Sequence, residues 1–459
     1  MKDKLQAGFN CAALLLISWS CEAQSLLDVY QKARAKDSQF AVARHALEAA
    51  IEKLPQARAG ILPAVSLTAN ASRQTGDGWF SGGAYSGAST VSREVHAWNW
   101  TTQITQPLIR VGNWAAYAQA DAQVTQAKEQ FLQAEQDLIV RTAQAYFDVQ
   151  LAMHGTYVAQ AQLNAINEQL TLAQRTYEVG MGTITDVHEA KAKQALSVAQ
   201  HVNALNDFAS REAELEILAG EYLRLPPMQI RKSLPTLDAS QIDDWVTAAL
   251  QQNPQIRIQQ SALLVASKEV TKSMAAHAPT LDIVANRAAN YSSGTLSSPA
   301  DVSTRTFSYQ TGLQLTIPLF AGGSMQSKVR ESLALQEKAK EEFTSAQRNV
   351  KIQVRQGFAG VMNGQSQVLA LEAAVEASQN SVESNKIGFK VGTRINPDVL
   401  NAEQQLYTAM RDLNKARVDV VMQSLKLKAT TGALTGDDLM AIENLMQPVQ
   451  LTLSKLKAK

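Results

Sequence analysis

The sequence predicts a mixed α and β fold, in which long coiled-coil helices carry a few amphipathic strands and the whole plan occurs twice. Three observations predict it. First, an ungapped stretch recurs: Val179, Gly180, Asp186, Val187 and Ala190 align with Val391, Gly392, Asp398, Val399 and Ala402, each displaced by 212 residues. Second, the hydrophobic period changes from three-and-four to two and back again, once in each half. Third, the helical stretches are far longer than ordinary globular helices and carry heptad seams.

The repeated stretch runs from Tyr177 to Gln194 and again from Phe389 to Leu406. In both copies a long helical pattern meets a Gly, breaks for a few residues and resumes behind an Asp. Glycine supplies the permissive backbone where a helix stops. Thr185-Asp186 and Pro397-Asp398 suit the start of the next helix. Each half therefore holds a helical hairpin, with its tip at 179–186 or 391–398.

Composition narrows the function classes. Lys and Arg number 43 against 42 Asp and Glu, a balance that argues against a general nucleic-acid binder. Aromatics make up only 6%, and Gly and Pro cluster in a few places, as in long interrupted helices rather than a compact α/β enzyme. Residues 1–23 read as a secretory signal peptide: Lys2 and Lys4, a short apolar core over 11–19, then Cys21-Glu22-Ala23 at the cleavage site. The apolar run is too short for a membrane anchor. Lipidation at Cys21 fits poorly, because Ser18-Trp19-Ser20 precedes it. Cleavage after Ala23 removes both cysteines, which excludes disulfides and thiol catalysis. No later segment has the ~18 uninterrupted apolar residues of a transmembrane helix.

Residues 24–60 follow a helical pattern through Leu27, Tyr30, Ala33, Phe40, Ala43 and Leu47. Residues 61–110 then form a strand pair with a loop. From Leu62 to Arg73, Val65, Leu67, Ala69 and Ala71 share one face, and Ser66, Thr68, Asn70 and Ser72 the other. The Gly- and Ser-rich 74–92 reads as a loop. A second strand, 93–109, carries Trp98, Trp100, Thr102 and Ile104 on one face, with Pro107 near its end.

Residues 111–220 are two helices around the first tip, running to about Glu178 and from 183 to 219. Their seam begins Ala120, Val124, Ala127, Phe131, Ala134, Leu138. Prolines mark 221–240 as a connector. The second half repeats the plan, with a helix over 241–278 and a strand pair with a loop over 279–320. Two helices and a tip follow over 321–434, then a C-terminal segment over 435–459.

One chain thus contributes four amphipathic strands. Four strands cannot close a barrel, and an open edge cannot survive in lipid. The strands either fold as an ordinary soluble sheet or share a barrel with other copies. Two copies give eight strands and three give twelve. In a shared barrel all helices project from one side and pack as a hollow cylinder.

Along nearly its whole mature length the chain resembles the TolC family of outer-membrane channel-tunnels. The resemblance is carried by Leu27-Asp28-Val29-Tyr30, Leu62-Pro63, Ala278-Pro279 and Gln106-Pro107-Leu108. It is also carried by Ile317-Pro318-Leu319-Phe320 with Gly322-Gly323, by Ala143 to Phe147, and by both tips. The resemblance implies α plus transmembrane β structure: a homotrimer with a shared twelve-stranded β-barrel in outer-membrane lipid, and an α-helical coiled-coil tunnel crossing the periplasm. It also implies an equatorial belt built from the connector and the C-terminal segment. The implied function is a passive, gated exit duct for type I protein secretion or drug efflux. Its implied partners are a periplasmic adaptor and an inner-membrane ABC or RND pump.

The family's gate positions fall on Thr185 and Asp186 in the first hairpin, with Gln169 one helix back. In the second hairpin Phe389 stands where the family has Tyr, Arg394 matches the linking Arg, and Asp398 matches an acidic constriction position. Asn401 replaces the second acidic residue and Lys386 an acidic partner. Phe389 cannot donate a hydroxyl hydrogen bond, so the closed state is expected to lean on an Arg394–Asp186 pair. Val179, Gly180, Gly182, Val391, Gly392 and Thr393 are the expected adaptor-docking tips. Read without the family, Asp186 and Asp398 are helix N-terminal residues and the glycines are helix terminators.

No catalytic constellation stands out, and no cofactor or metal is expected. The six histidines show no paired metal spacing. Two alternatives stand beside the secretion duct: a dedicated drug-efflux duct with an RND pump, and a coiled-coil stalk whose strands form a soluble cap.

Overall fold

A computed structural model describes residues 25–82, 85–230, 238, 241–296 and 302–448. The expected signal peptide and the last residues of the C-terminal segment lie outside these, as does Ser233-Leu234-Pro235 of the connector. In chain order the elements are α1 (Leu26–Lys36), α2 (Ser38–Ile51), α3 (Lys53–Ala59), β1 (Ala64–Gly82), β2 (Tyr85–Ile109), α4 (Val111–Glu178), α5 (Ile184–Ala219) and β3 (Met228–Ile230). There follow α6 (Ile242–Gln252), α7 (Pro254–Ala275), β4 (Thr280–Ser292), β5 (Thr304–Thr316), α8 (Ser324–Lys390), α9 (Asn396–Thr431), α10 (Asp437–Glu443) and β6 (Met446–Pro448). The duplication is visible in the lengths: α4 and α8 have 68 and 67 residues, and α5 and α9 have 36 each.

The chain divides into two compact units. One comprises residues 43–132 and 254–349 and is built on an antiparallel sheet in the order β1-β2-β4-β5. The register gathers the alternating residues of all four strands onto common faces. Leu67 pairs with Thr102, Thr102 with Arg287, and Arg287 with Tyr309; the neighbouring rows hold Val65, Ile104 and Ala285, and Ala69, Trp100, Ala289 and Phe307. The opposite face carries Ser66, Thr68, Asn70, Asn99, Thr101, Gln103, Asn286, Ser308, Gln310 and Gln314. One face is therefore apolar and the other polar, across all four strands. The apolar side chains stand in the open: Leu67 is 69% exposed, Leu313 69% and Tyr309 72%. Among the described residues the outer edges of β1 and β5 have no strand beside them. All four strand ends that join helices lie at one end of the sheet, where Arg110 grips the buried Asp282 through two hydrogen bonds of 2.8 and 2.6 Å.

The loop expected over 74–92 is instead strand at 74–82 and 85–92. β1 stays in register with β2 from Gln74↔Val95 to Phe80↔Ser89, and the register shifts before Gly82↔Tyr85. Glycine weakens a strand but does not end it when each backbone group finds a partner across the ladder. Gly76 and Gly78 keep φ values that any residue can adopt.

The other unit comprises residues 1–42, 133–253 and 350–459. Its core is helical: Leu138, Ile139, Tyr146 and Phe147 of α4, Val420, Val421 and Leu425 of α9, and Leu26 and Val29 of α1 are almost fully buried. Tyr146 and Phe147 meet edge to face at 5.7 Å. β3 pairs with β6, joining the connector to the C-terminal segment.

The continuous helices expected over 24–60 and 241–278 are broken. Asp37 and Asn253 stand at corresponding breaks with nearly identical extended backbones, φ −61°, ψ 122° and φ −60°, ψ 125°. Pro254 forces the residue before it out of the helical region. At Asp37 the side chain does the work: its carboxylate accepts from the Phe40 N–H at 2.9 Å and starts α2. Arg141 of α4 donates to the same carboxylate at 2.8 Å and also pairs with Asp137. Asp37 is 6% exposed. Burial opposes its charge, but the hydrogen bonds from Arg141 and Phe40 outweigh it and hold the group below its ordinary 3.8.

A depressed carboxylate contributes stability above its unfolded value and loses it as pH falls. Asp37→Asn is therefore expected to cost about 1–3 kcal/mol near neutral pH. It is also expected to flatten the decline in stability below about pH 4. Chemical denaturation followed by helical circular dichroism across pH checks both.

Candidate functional site

The two tips share one backbone. In the first, the Val179 N–H donates to Arg175 O, Gly180 to Tyr177 O, and both Met181 and Gly182 to Thr176 O. In the second, Val391 donates to Ile387 O, Gly392 to Phe389 O, and both Thr393 and Arg394 to Gly388 O. The bonds correspond one to one at a displacement of 212. Gly180 and Gly392 have φ 75° and 79°, left-handed values that only glycine adopts cheaply.

Within this common turn two facing positions trade size. A Cβ on Gly182 would stand 3.0 Å from Thr176 Oγ1. In the second tip the sizes reverse: Gly388 replaces Thr176, Arg394 replaces Gly182, and a Cβ on Gly388 would stand 2.7 Å from Arg394 Cγ. One of the pair is glycine in each tip, and Gly388 is what makes room for Arg394.

The acidic residues of the tips cap helices. Thr183 and Asp186 form a capping box at the start of α5: Asp186 N–H donates to Thr183 Oγ1 at 3.2 Å, and the Asp186 carboxylate accepts from Thr183 N–H at 3.1 Å and from its hydroxyl at 2.8 Å. Asp398 accepts from the Ile395 N–H at 3.5 Å and draws in Arg394 at 3.8 Å. The expected Arg394–Asp186 pair is therefore not made within one chain, because Asp186 serves its own helix and Arg394 turns to the acid one turn on. Thr185 is exposed and Phe389 half-buried.

Behind the tips lies a polar set in which Glu403, Asn396 and Tyr407, which the sequence did not flag, join Lys386, Asn401 and Gln169, which it did. Lys386, which stands where the family has an acidic partner, reaches across from α8 to Glu403 of α9 at 2.6 Å; the Glu403 side chain is only 3% exposed. Asn401 accepts from Lys193 of α5. Gln169 is buried on α4 with its Oε1 unpaired; Asn396 is buried with both amide atoms unpaired, as is Glu403 Oε2. Burial, with Glu403 and Glu168 nearby, pushes Tyr407 up to about 12, so it remains a neutral hydroxyl. Asn396 and Glu403 sit seven residues apart with the buried Val399 and Leu400 between them. That heptad spacing of polar residues among apolar ones was the available signal. An apolar cluster of Ile166, Leu170, Ala173, Ala190 and Leu400, with Val187 against it, holds the helices together here. At the outermost points apolar side chains face solvent: Met181 is 84% exposed, Val179 69%, Val391 68% and Ile395 61%. Among the described residues no group of His, Cys, Asp and Glu is arranged to hold a metal, and no helix is long and apolar enough to cross a membrane.

Residues 29–221 and 245–433 match the family described as Outer membrane efflux protein, in two blocks that follow the duplication. The chain belongs to that family. It is similar to the alkaline protease secretion protein AprF of Pseudomonas aeruginosa, 30% identical over 93% of this chain and 88% of AprF. It is 27% identical to the outer membrane protein TolC of Vibrio cholerae over 96% of this chain and 98% of the relative. Its fold matches the Campylobacter jejuni CmeC outer membrane channel with a TM-score of 0.73, at 15% identity over 93% of this chain and 90% of that one. The resemblance to the TolC family therefore holds, and the chain is an outer-membrane protein of a family whose members are channels.

Gly388→Ala is expected to push Arg394 out of its rotamer and weaken the second tip by about 0.5–1.5 kcal/mol. Adding Arg394→Gly restores the first tip's pairing of sizes and relieves most of that loss. Amide hydrogen exchange at Thr393 reads both variants.

Proposed function

We propose that three copies of this chain form an exit duct. Their twelve strands make one barrel in the outer membrane, and their helices make a periplasmic tunnel closed at its tips. The observation that carries this reading is the sheet: four strands with one continuous apolar face, one polar face and two free edges. Such a sheet exposes too much apolar surface for water and too many open backbone groups for lipid, unless other copies complete it. Three copies give twelve strands, with the polar face turned to a water-filled lumen. The soluble-cap reading leaves the open apolar face unexplained.

The duct is passive. An adaptor and an inner-membrane pump supply direction and energy, and the adaptor docks on Val179, Gly180, Gly182, Val391, Gly392 and Thr393. The exposed Met181, Val391 and Ile395 beside them support a docking role, since water-exposed apolar knobs at a loop tip suit a partner. At the gate, Asp398 lines the constriction as one acidic ring, and Asn401 leaves the second ring uncharged. Thr185, Asp186, Gln169, Phe389 and Arg394 hold the hairpins closed, with Lys386–Glu403 stiffening the second hairpin from behind. Arg394 and Asp186 are free to meet between neighbouring copies, since they do not meet within one. The likeness to a protease secretion protein favours unfolded protein as cargo through an ABC exporter. Drug efflux with an RND pump is the alternative.

Two measurements test this reading. Photocrosslinkers at Thr183 and Thr393 in exporting cells are expected to trap an adaptor, whose pump then decides between secretion and efflux. Capture of neighbouring copies alone would refute docking at the tips. In planar bilayers Asp398→Asn is expected to abolish most of the cation preference; an unchanged reversal potential would remove Asp398 from the constriction.

A further inference from the structure

The apolar face of the sheet carries an exception in its middle rows. Arg287 of β4 stands between Thr102 and Tyr309 on the face that holds Leu67, Trp100 and Phe307. Its guanidinium lies 5.6 Å from the ring centre of Trp100 and 5.3 Å from that of Tyr309. Arg305, two rows nearer the hairpin end, sits 5.1 Å from the ring of Phe307. Beside them Trp98 and Tyr291 stack at 5.6 Å. Under this canopy Ala289 is only 2% exposed, although it lies on an otherwise open face. On this face the Glu94 carboxylate is engaged elsewhere, by Arg73 and His96.

Two guanidiniums thus lie among aromatic rings, between the apolar rows on the helix-joined side of the face and the charged Arg73, His96 and Glu94 on its hairpin side. Aromatic faces compensate a cation in part. They leave its N–H donors unmet, and arginine has five donors in a planar fork that no acyl chain can satisfy. That fork matches the oxygens of a phosphate in bidentate fashion. The position fits as well. Tryptophan and tyrosine collect where hydrocarbon meets headgroups, and the aromatic cluster lies toward the hairpin end of the sheet, away from the strand ends that join helices.

We propose that Arg287 and Arg305 form a binding site for the phosphate of a lipid headgroup in the outer leaflet, whose acyl chains lie along the apolar rows below. The proposal rests on the membrane-barrel reading above. The aromatic rings hold the guanidiniums in place, and the phosphate supplies the acceptors that the protein face lacks.

The test is native mass spectrometry of the full-length protein in detergent, titrated with bisphosphorylated lipid A and with the same lipid dephosphorylated. Single-channel conductance is measured in parallel. The wild type is expected to bind the phosphorylated lipid at least tenfold more tightly. Arg287→Gln and Arg305→Gln each remove that preference while oligomer mass and conductance stay unchanged. Arg287→Lys, which keeps the charge and loses the fork, recovers it only in part. Equal binding of both lipids by the wild type would overturn the site, as would variants that keep the preference. Displacement of lipid A by millimolar inorganic phosphate would reassign the site to free phosphate and overturn the headgroup assignment. A wild type that neither oligomerises nor conducts would instead overturn the barrel reading, a failure that the parallel measurement makes visible.

Discussion

A strand edge with open N–H and C=O groups is tolerable in water and intolerable in hydrocarbon. Here β1 and β5 present such edges on a sheet whose one face is apolar from Val65 to Leu315. Native soluble sheets blunt their edges with prolines, charges or short strands. β1 runs for 19 residues and β5 for 13, and neither is blunted in this way along its apolar stretch. In the proposed duct, self-association, membrane location and a hollow interior all serve to relieve that one conflict. The same geometry sets the polar face opposite, with Asn70, Thr101, Gln103 and Gln310 available to line a lumen.

The duplicated helices reuse one set of local rules. The tips at 180 and 392 and the helix ends at 220 and 432 all use a left-handed glycine, each pair displaced by 212. What distinguishes the halves is side-chain chemistry on that common backbone. The first tip spends its acid on a Thr183–Asp186 box and stays small at Gly182. The second opens space at Gly388 and fills it with Arg394, beside Asp398. In the proposed gate this asymmetry gives the two hairpins different side chains with which to meet their neighbours. The buried Glu403, with one oxygen unpaired, and Asn396, with neither amide atom paired, lie on the arginine-bearing hairpin. Polar groups in a low-dielectric site weigh heavily on which arrangement is favoured.

Much of this was legible because its causes are local. Helix ends near 178, 219, 390 and 431 follow from glycines and capping residues, which act within a few positions. The sheet faces follow from strict alternation, and the family resemblance from short motifs in fixed order. The misreadings have one physical source. Gly76 and Gly78 look like loop residues until β2 supplies their partners. Asp37 looks like a mid-helix residue until Arg141, over a hundred residues away, anchors its carboxylate. In each case the deciding partner is distant in sequence, and periodicity carries no record of it.

The central claim is that one chain holds a third of a closed barrel. Electron cryomicroscopy of the full-length protein, extracted from outer membranes and held in a lipid nanodisc, tests it most directly. Three-fold symmetry with twelve strands, β5 of each copy beside β1 of the next, is the predicted result. A two-fold eight-stranded particle, or a single water-soluble copy whose sheet keeps both edges open, would contradict it.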